Sequence, residues 1–230
     1  MLIRTVVAPL LGTNCYLVPV GDGCVVVDPG SGAARGVREE LAASRRAPVA
    51  ILLTHGHLDH TWDAAELSDE LAVPVLVHED DAYRLADPIG SLGPLGRQLV
   101  ELAGLTAGPD VPARVETFRV GTDVPGVVVG GLLGLHAPGH TEGSTVYLVG
   151  AEALPPVALT GDVLFAGTIG RCDLPGGDEA AMAATLGRLA TLDPATDVRP
   201  GHGPATTVGA ELAGNPYLRA GRGPRPVGTD

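Results

Sequence analysis

The segment from Thr54 to His60 is the part of this sequence richest in metal-binding side chains. It reads Thr-His-Gly-His-Leu-Asp-His, so three imidazoles and one carboxylate fall within six residues. The apolar run Val49 to Leu53 precedes it and predicts a buried strand. Neutral imidazole and carboxylate are ligands that suit zinc and iron. The segment therefore predicts a metal site at the end of a strand.

The spacing of these ligands indicates more than one ion. In extended backbone, side chains two residues apart point the same way, so His55, His57 and Asp59 are expected to face one pocket. His60 leaves the chain at another angle and is available to a second ion. Because the segment alone is too small for two complete sets of ligands, further ligands must come from downstream.

Three later apolar runs each end in a side chain of the required kind, at His140, Asp162 and His202. A single histidine or aspartate after a strand is usually an ordinary turn residue. Together with the first segment, however, these positions include five of the seven histidines in the chain. The ends of neighbouring strands meet at one rim, so the combined pattern predicts one shared metal centre.

These ligands and several shorter motifs resemble the metallo-β-lactamase superfamily, and within it the short glyoxalase-II-like (hydroxyacylglutathione hydrolase-like) branch. The likeness runs from about residue 3 to residue 219. The supporting motifs are Thr-Asn-Cys-Tyr-Leu at 13–17, Val-Asp-Pro-Gly at 27–30, Gly-Arg-Cys-Asp-Leu-Pro-Gly-Gly-Asp at 170–178 and Asn-Pro-Tyr-Leu at 215–218. The resemblance implies an α/β fold, a four-layer αββα sandwich forming a single domain.

The resemblance also implies how the ligands are shared between two divalent ions. Zinc is the metal most often implied, with iron or a mixed zinc and iron pair as alternatives. The implied sets are His55, His57 and His140 for the first ion, Asp59, His60 and His202 for the second, and Asp162 as the bridge. Asp59 and Asp162 are the implied catalytic carboxylates, because their charge offsets part of that of the ions. Asp28 is implied to lie behind the histidines, where a carboxylate fixes the tautomer of a ligand.

The function implied by the resemblance is hydrolysis of a 2-hydroxyacyl thioester, such as a lactoyl-thiol, to acid and thiol by a metal-bridging hydroxide. Metal binding lowers the pKa of water from about 15.7 to about 7. A thiol, with a pKa of about 8.5, leaves with little help from an acid. One alternative is a mononuclear-iron persulfide dioxygenase, and another is a metal-stabilised binding protein without turnover. A β-lactamase is less favoured, since several such enzymes have Cys where this chain has Asp162.

Substrate binding beyond the metal centre is the least defined part of the prediction. Arg171 is a candidate for gripping a carboxylate of the thiol carrier, because its planar fork matches two oxygens. The alternative is an ion pair with Asp173 or Asp178 that orders the loop. Only 28 residues follow His202, too few for the separate helical domain with which classical glyoxalase II binds glutathione. The identity of the thiol therefore stays open.

Composition limits the architecture and the partners. A chain of 230 residues that is 45% hydrophobic can form one core, so we expect one domain over residues 1–218 and a disordered tail over 219–230. A net charge of −12 argues against a nucleic-acid partner. Three cysteines form no disulfide framework, and no export or membrane-spanning segment is recognisable. We expect a cytoplasmic protein without a membrane partner, acting on a small-molecule thioester, with no indication of its oligomeric state.

The pattern of apolar runs predicts the elements that carry these residues. Three antiparallel strands are expected before Asp28, and later strands form a second antiparallel block. The predicted helices are Ala33 to Ser44 with Ser31 as N-cap, Trp62 to Leu71 with Asp63 in its first turn, Arg97 to Ala103, and Asp178 to Leu189. Residues 86–113, rich in Gly and Pro, are either a lid or a plain loop. His78 is expected at the surface or at a helix start, and His136 is expected not to bind metal directly.

Overall fold

The computed structural model describes residues 2–102, 108–150 and 155–220. Two six-stranded sheets form its centre. The first has the strand order β1-β2-β3-β4-β5-β6. Its strands are β1 Arg4–Val7, β2 Asn14–Val20, β3 Gly23–Val27, β4 Ala47–Leu52, β5 Val75–His78 and β6 Val115–Phe118.

The second sheet has the order β14-β13-β10-β9-β8-β7, and a two-stranded ribbon of β11 and β12 lies beside it. Its strands are β7 Gly126–Val129, β8 Leu132–His136, β9 Thr145–Val149, β10 Val157–Gly161, β13 Asp197–Pro200 and β14 Thr206–Thr207. The ribbon is formed by β11 Leu164–Phe165 and β12 Thr168–Ile169.

Eight α-helices occur in the described part of the chain. They are α1 Ala34–Ser44, α2 Leu58–Thr61, α3 Ala64–Leu71, α4 Ala82–Ala86, α5 Pro94–Leu102, α6 Glu179–Leu189, α7 Val208–Gly214 and α8 Pro216–Ala220. Two single turns of 3₁₀ helix, Glu79–Asp81 and Gly90–Leu92, flank α4.

The packing of side chains confirms the four-layer sandwich. Residues of both sheets, among them Val25, Leu52, Tyr147 and Leu159, form one buried cluster between the sheets. A second cluster lies between the first sheet and helices α1 and α3, and a third lies between the second sheet and α6. Because both faces of each sheet are covered, central strands such as β3 are apolar throughout rather than alternating.

The sheets are mixed, so the expectation of two antiparallel blocks holds only for β1 to β3 and for β7 to β10. The first three strands pair antiparallel as predicted. From β3 to β6, however, neighbours run parallel, and β10 also runs parallel to β13. Parallel neighbours need long crossover connections, which α1 and α3 provide in the first sheet and α6 provides in the second. Parallel strands place their carboxyl ends at one edge, which is where the predicted ligands lie.

Two predicted helix starts are wrong in detail. Helix α1 has Ala33 at its N-cap position, without a side-chain cap, so Ser31 does not cap it. The carboxylate of Asp63 instead accepts the Ala34 N–H at 2.8 Å. Asp63 itself occupies the N-cap position of α3 rather than its first turn. One buried carboxylate thus stabilises the start of a helix distant in sequence, a contact that local capping rules do not reveal.

The remaining predictions concern helix α6, the segment 86–113, the C-terminal tail and membrane-spanning helices. Helix α6 begins after Asp178 as predicted, and this side chain accepts the N–H groups of Ala180 and Ala181. In the segment 86–113, the predicted helix from Arg97 to Ala103 corresponds to α5 Pro94–Leu102, while residues 103–107 lie outside the described ranges. A lid role for this segment stays a prediction. The disordered tail was expected from residue 219, but α8 extends to Ala220, and residues 221–230 lie outside those ranges. No helix in the described ranges is long and apolar enough to cross a bilayer.

Candidate metal centre

The predicted ligands follow the carboxyl ends of strands in both sheets. His55 and His57 come after β4, Asp162 comes after β10 and His202 comes after β13. His140 lies four residues beyond β8, past a Pro-Gly turn. The strand ends meet at the same rim, and the structure brings all seven predicted ligands together there.

The backbone of the first ligand segment is extended only at its beginning. His57 has extended dihedral angles and occupies the N-cap position of the short helix α2. Asp59 and His60 therefore project from a helical turn, and the expectation that the backbone stays extended as far as Asp59 is wrong. The turn swings consecutive side chains apart by about 100°, which allows Asp59 and His60 to join a second group of ligands.

The first group consists of His55, His57 and His140. Their ring centroids are 4.6 to 4.8 Å apart, and one ligand atom from each lies within 4.8 Å of the others. All three Nε2 atoms are buried and have no hydrogen-bond partner. Buried polar atoms without partners are rare and costly. Three of them facing one another fit a bound cation.

Hydrogen bonds on the opposite side of two of these rings direct Nε2 towards the centre. The Nδ1–H of His140 donates to the Arg171 carbonyl at 2.7 Å. The Nδ1 of His55 lies 3.1 Å from the Thr54 hydroxyl, which itself donates to Asp28 at 2.6 Å. Since Nδ1 carries the proton in both rings, each Nε2 presents a lone pair, as metal ligation requires.

The second group consists of Asp59, His60 and His202. His202 Nε2 is 3.1 Å from Asp59 Oδ2 and 3.2 Å from His60 Nε2. His60 Nδ1–H donates to Asp28 Oδ2 at 3.0 Å, which leaves the His60 Nε2 lone pair facing the group. Asp28 thus lies behind the ligands as the resemblance implies, and it contacts His60 directly and His55 through Thr54.

Asp162 lies between the two groups. Its Oδ2 is 3.7 Å from the Nε2 of His140 and 3.7 Å from that of His202. Its Oδ1 is 3.3 Å from His60 Nε2. A carboxylate has two oxygens and is therefore able to contact two ions at once. This placement agrees with the bridging role that the resemblance implies.

The buried carboxylates around the second group favour a positive charge nearby. Burial alone acts to lower the pKa of His60, but the carboxylates of Asp162, Asp59 and Asp28 outweigh it and raise this pKa well above the usual value. Burial likewise favours protonated Asp59, yet His60 and His202 hold its pKa below the usual range. Without metal, a proton on His60 supplies positive charge beside these carboxylates. A divalent ion carries two positive charges and neutralises the carboxylates more completely.

The first group behaves in the opposite way. Burial lowers the pKa of His55 well below its usual value and, with the neighbouring His140, lowers that of His57 to about 3. These imidazoles are neutral at physiological pH, so their lone pairs are available without releasing a proton. The donor set as a whole, five histidines and two aspartates, fits two divalent ions such as zinc or iron.

Backbone packing keeps the centre compact. A Cβ atom at Gly201 would collide with Asp162 Oδ1 and His60 Cε1, so only glycine fits at this position. The loop carrying His202 is held by the 13–17 motif. Asn14 Nδ2 donates to the carbonyls of Pro200 and Gly203 at 3.0 and 2.9 Å, and Tyr16 donates to Pro200 at 2.7 Å. This motif therefore supports the centre without contributing a ligand.

Arg171 lies at the exposed edge of this region. Its guanidinium donates twice to Asp173, with both distances 2.7 Å, so the predicted ion pair is present. Its carbonyl is the acceptor for His140, as described above. A cavity of about 850 Å³ that is mainly apolar lies between α6, α8 and residues 169–172. None of the seven ligands lines it, so we do not assign it as the catalytic pocket.

A second histidine pair was not anticipated from the sequence. His78 is buried rather than at the surface, and it accepts the Asp80 N–H at the start of a 3₁₀ turn. His136 stacks on it, with centroids 4.2 Å apart and planes inclined by 11°. Asp80 lies near both rings. Imidazole lone pairs lie in the ring plane, and two nearly parallel stacked planes do not meet at one ion, so this pair is unsuited to binding a metal.

Comparison with known proteins identifies the family. The family model of the metallo-beta-lactamase superfamily matches residues 8–202. The hydroxyacylglutathione hydrolase GloC of Haemophilus influenzae is 32% identical, and the alignment covers 90% of this chain and 93% of that protein.

Two solved structures show the same architecture at similar levels of identity. TTHA1623 in a di-iron-bound form is 35% identical with a TM-score of 0.79, covering 94% of this chain and 100% of that one. The B3 metallo-beta-lactamase BLEG-1 is 31% identical with a TM-score of 0.76, covering 94% and 99%. By sequence, by fold and by the convergence of its His and Asp side chains, this chain belongs to the metallo-beta-lactamase superfamily.

Proposed function

We propose that this protein is a metal-dependent hydrolase that cleaves 2-hydroxyacyl thioesters, releasing a hydroxy acid and a thiol. The observation that carries the proposal is the position of Asp162 between the two ligand groups, with the unpartnered Nε2 atoms of the first group facing it. This arrangement suits two ions rather than one. In a hydrolytic centre without a Ser or Cys nucleophile, a bound divalent ion generates the hydroxide, and a second ion helps to stabilise the attacking and leaving atoms.

The residues around the centre suit such a reaction. When bound, two divalent ions supply Lewis acidity and lower the pKa of a water to about 7. Asp28 holds the proton on His60 Nδ1, and the Arg171 carbonyl holds it on His140 Nδ1, so both rings keep a fixed orientation. A thioester fits a site with no evident proton donor, because a thiol with a pKa of about 8.5 leaves as thiolate.

The relatives support both parts of the proposal. GloC of Haemophilus influenzae bears the name of a hydroxyacylglutathione hydrolase, which is a thioesterase. The di-iron form of TTHA1623 supports two metal ions at a centre of this kind. We propose zinc as the native metal, with iron or a zinc and iron pair as the alternatives that metal analysis will distinguish.

We further propose that several thiol carriers are accepted, and that glutathione thioesters are not the tightest substrates. The described elements after His202 are β14, α7 and α8, and none of their residues belongs to the ligand groups. Contacts with remote parts of a substrate mainly lower KM. Arg171 is the candidate for binding a carboxylate of the carrier, and to do so it must exchange its pair with Asp173 for the substrate.

The decisive experiment combines metal analysis of the purified protein with a thioester hydrolysis screen across several thiols. We expect about two ions per chain and turnover that does not need oxygen. One iron per chain with oxygen uptake on a persulfide would instead indicate the dioxygenase. Because BLEG-1 bears the name of a β-lactamase, a penicillin and a cephalosporin belong in the screen, and hydrolysis of these alone would overturn the proposal.

The role of Arg171 is tested by two matched substitutions. Arg171→Ala is expected to raise KM for carriers that bear a carboxylate, with little change in kcat. Asp173→Asn frees the guanidinium and is expected to lower the same KM. If KM is unaltered in both variants, the pair only orders the loop. A KM for lactoylglutathione far below that for every other carrier would contradict the proposed breadth.

A further inference from the structure

A buried ion pair behind the first ligand group has no assigned role. It consists of Asp81, in the 3₁₀ turn after β5, and Arg84, in α4. Both side chains are completely buried, and Arg84 Nε lies 3.2 Å from Asp81 Oδ1. Burying a charged pair is costly and contributes little to net stability compared with apolar packing. Its presence therefore calls for an explanation in what the pair contacts.

The carboxylate of Asp81 joins the two loops that carry the first ligand group. Oδ2 accepts the Gly56 N–H, between His55 and His57, at 2.8 Å. The same oxygen accepts the hydroxyl of Thr141, the residue after His140, at 2.7 Å. Oδ1 accepts the Gly143 N–H at 2.9 Å. One side chain thus fixes the distance between two segments that are far apart in sequence.

The glycines at these contacts show how closely the loops approach. A Cβ atom at Gly56 would lie 2.7 Å from Arg84 Cβ, and one at Gly143 would lie 2.7 Å from Asp81 Cβ. Glycine therefore separates His55 from His57 because the pair of Asp81 and Arg84 occupies the space that a side chain would need. Arg84 extends the connection by pairing with Glu142 and by donating to the Pro175 carbonyl at 2.8 Å.

We propose that Asp81 is a positioning residue for the first metal ion, holding His55 and His57 at the correct distance from His140. The second group is held differently, through Asp28 behind His60 and the 13–17 motif behind His202. Asp81 therefore acts on one ion and not on the other. This inference rests on the two-metal centre of the proposed function and is independent of which thioester is the substrate.

The substitution Asp81→Asn tests the proposal because each carboxylate oxygen faces two donors. The amide –NH₂ group replaces one acceptor with a donor, so either Gly56 and Thr141 or Gly143 and Arg84 lose their partner. Thr141→Val removes the hydroxyl that contacts Asp81 and Ser144, and Thr141→Ser keeps it. Glu211→Gln is the matched control, since Glu211 is also buried and accepts from Gly167 N–H, Thr206 and Asn215 away from the ligands.

Zinc affinity is measured by competition with a chromogenic chelator, and melting temperature is recorded for each variant. We expect Asp81→Asn to weaken one of the two zinc equivalents by about 10- to 100-fold, the effect typical of losing an outer partner of a ligand. Thr141→Val should show a smaller loss that Thr141→Ser restores. Glu211→Gln should lower the melting temperature while both equivalents bind as in the wild type.

A His202→Ala background identifies the ion concerned, because only the first group then remains complete. In this background, Asp81→Asn should lower the affinity for the remaining zinc ion. If the wild type binds two ions and Asp81→Asn binds both as tightly, or if Glu211→Gln loses the same equivalent, the positioning role is wrong while the proposed function stands. If the wild type binds no metal, both fall.

Discussion

Asp162 is the residue on which the two halves of the metal centre depend. Its carboxylate oxygens lie within 3.7 Å of histidines from both groups. By contrast, Cys15 is completely buried among apolar side chains of the first sheet, as predicted, and burial raises the pKa of its thiol well above the usual value. A buried neutral thiol is a poor nucleophile. Cys15 is therefore not expected to act as a nucleophile, and the proposed chemistry depends on the metal centre.

Asp162→Ala is expected to reduce kcat/KM by more than about 100-fold, since loss of even an outer partner of a ligand costs about 10- to 100-fold. Cys15→Ala is expected to keep most of the activity and to lose only stability. Metal content and thioester hydrolysis are measured on both purified variants. An inactive Cys15→Ala variant with a full metal content would point to cysteine nucleophilic catalysis instead.

Helix α6 shows how one element supports the centre from behind. Its N-cap, Asp178, accepts two N–H groups of the first turn at 2.8 and 2.9 Å. The Asp178 N–H donates to the Gly139 carbonyl, next to His140. The helix then packs Met182 and Leu186 on the second sheet. The start of α6 is thereby tied to the loop that carries a ligand.

Asp178→Ala is expected to lower the free energy of unfolding by about 1 kcal/mol, because two N–H groups lose their acceptor. Asp178→Asn retains an oxygen at the same place and should lose only a fraction of that amount. Urea denaturation of the three proteins in matched buffer measures the difference. An Asp178→Ala variant as stable as the wild type would show that water replaces the cap without cost.

The histidine pair at the ends of β5 and β8 gives the sandwich a pH-dependent contact. Burial, and then the neighbouring His136, lower the pKa of His78, and the nearby Asp80 opposes them only in part. The unfolded chain, with a pKa of about 6.5, therefore binds a proton that the folded chain does not. Because the unfolded state binds more protons, this group makes stability fall as the pH drops below about 6.5.

His78→Gln is expected to remove this contribution. The free energy of unfolding of the wild type should therefore decrease more steeply than that of the variant as the pH is lowered from 7.5 towards 5. Denaturant titrations of both proteins across this range supply the comparison, and the metal centre contributes to both alike. Parallel pH profiles would mean that His78 titrates normally in the folded protein.

At the scale of the whole molecule, the metal centre joins the two sheets. His55, His57, Asp59 and His60 follow a strand of the first sheet, whereas His140, Asp162 and His202 follow strands of the second. Ions bound by these residues would therefore cross-link the two halves of the sandwich at one rim. Without metal, that rim holds unpartnered Nε2 atoms and crowded carboxylates, which are unfavourable when buried.

Removal of metal by chelation is expected to lower the melting temperature by on the order of 10 °C per ion, for ions present at about 1,000 times their dissociation constant. Re-addition of the native metal should restore it. Scanning calorimetry with metal analysis of each sample tests this, and the chelator must be dialysed away before re-addition. An unchanged melting temperature after confirmed removal would mean that the rim is stable when empty.

The sequence alone predicted the four-layer sandwich and named the seven side chains that the structure brings together at one rim. Each ligand lies in a short motif after an apolar run, and a strand end is a local feature that apolar patterning and Gly-Pro punctuation reveal. The buried cysteines, the first three strands and the cap of α6 are local in the same sense. The −12 charge likewise argues against nucleic acid before any coordinates are known, and this remains a prediction.

Asp28 was expected behind the ligands, but only the tertiary structure revealed the other long-range polar contacts. Asp81 meets Gly56 and Thr141 across 25 and 60 residues of chain, and Asp63 reaches Ala34 across 29. Long-range packing also explains three further features. They are the stacking of His78 on His136, the parallel direction of β3 to β6, and the role of Asp63 rather than Ser31 at the start of α1. Such contacts depend on how sheets and crossovers pack, because a polar side chain takes whichever partner the packed chain brings within reach, and no local pattern specifies that partner.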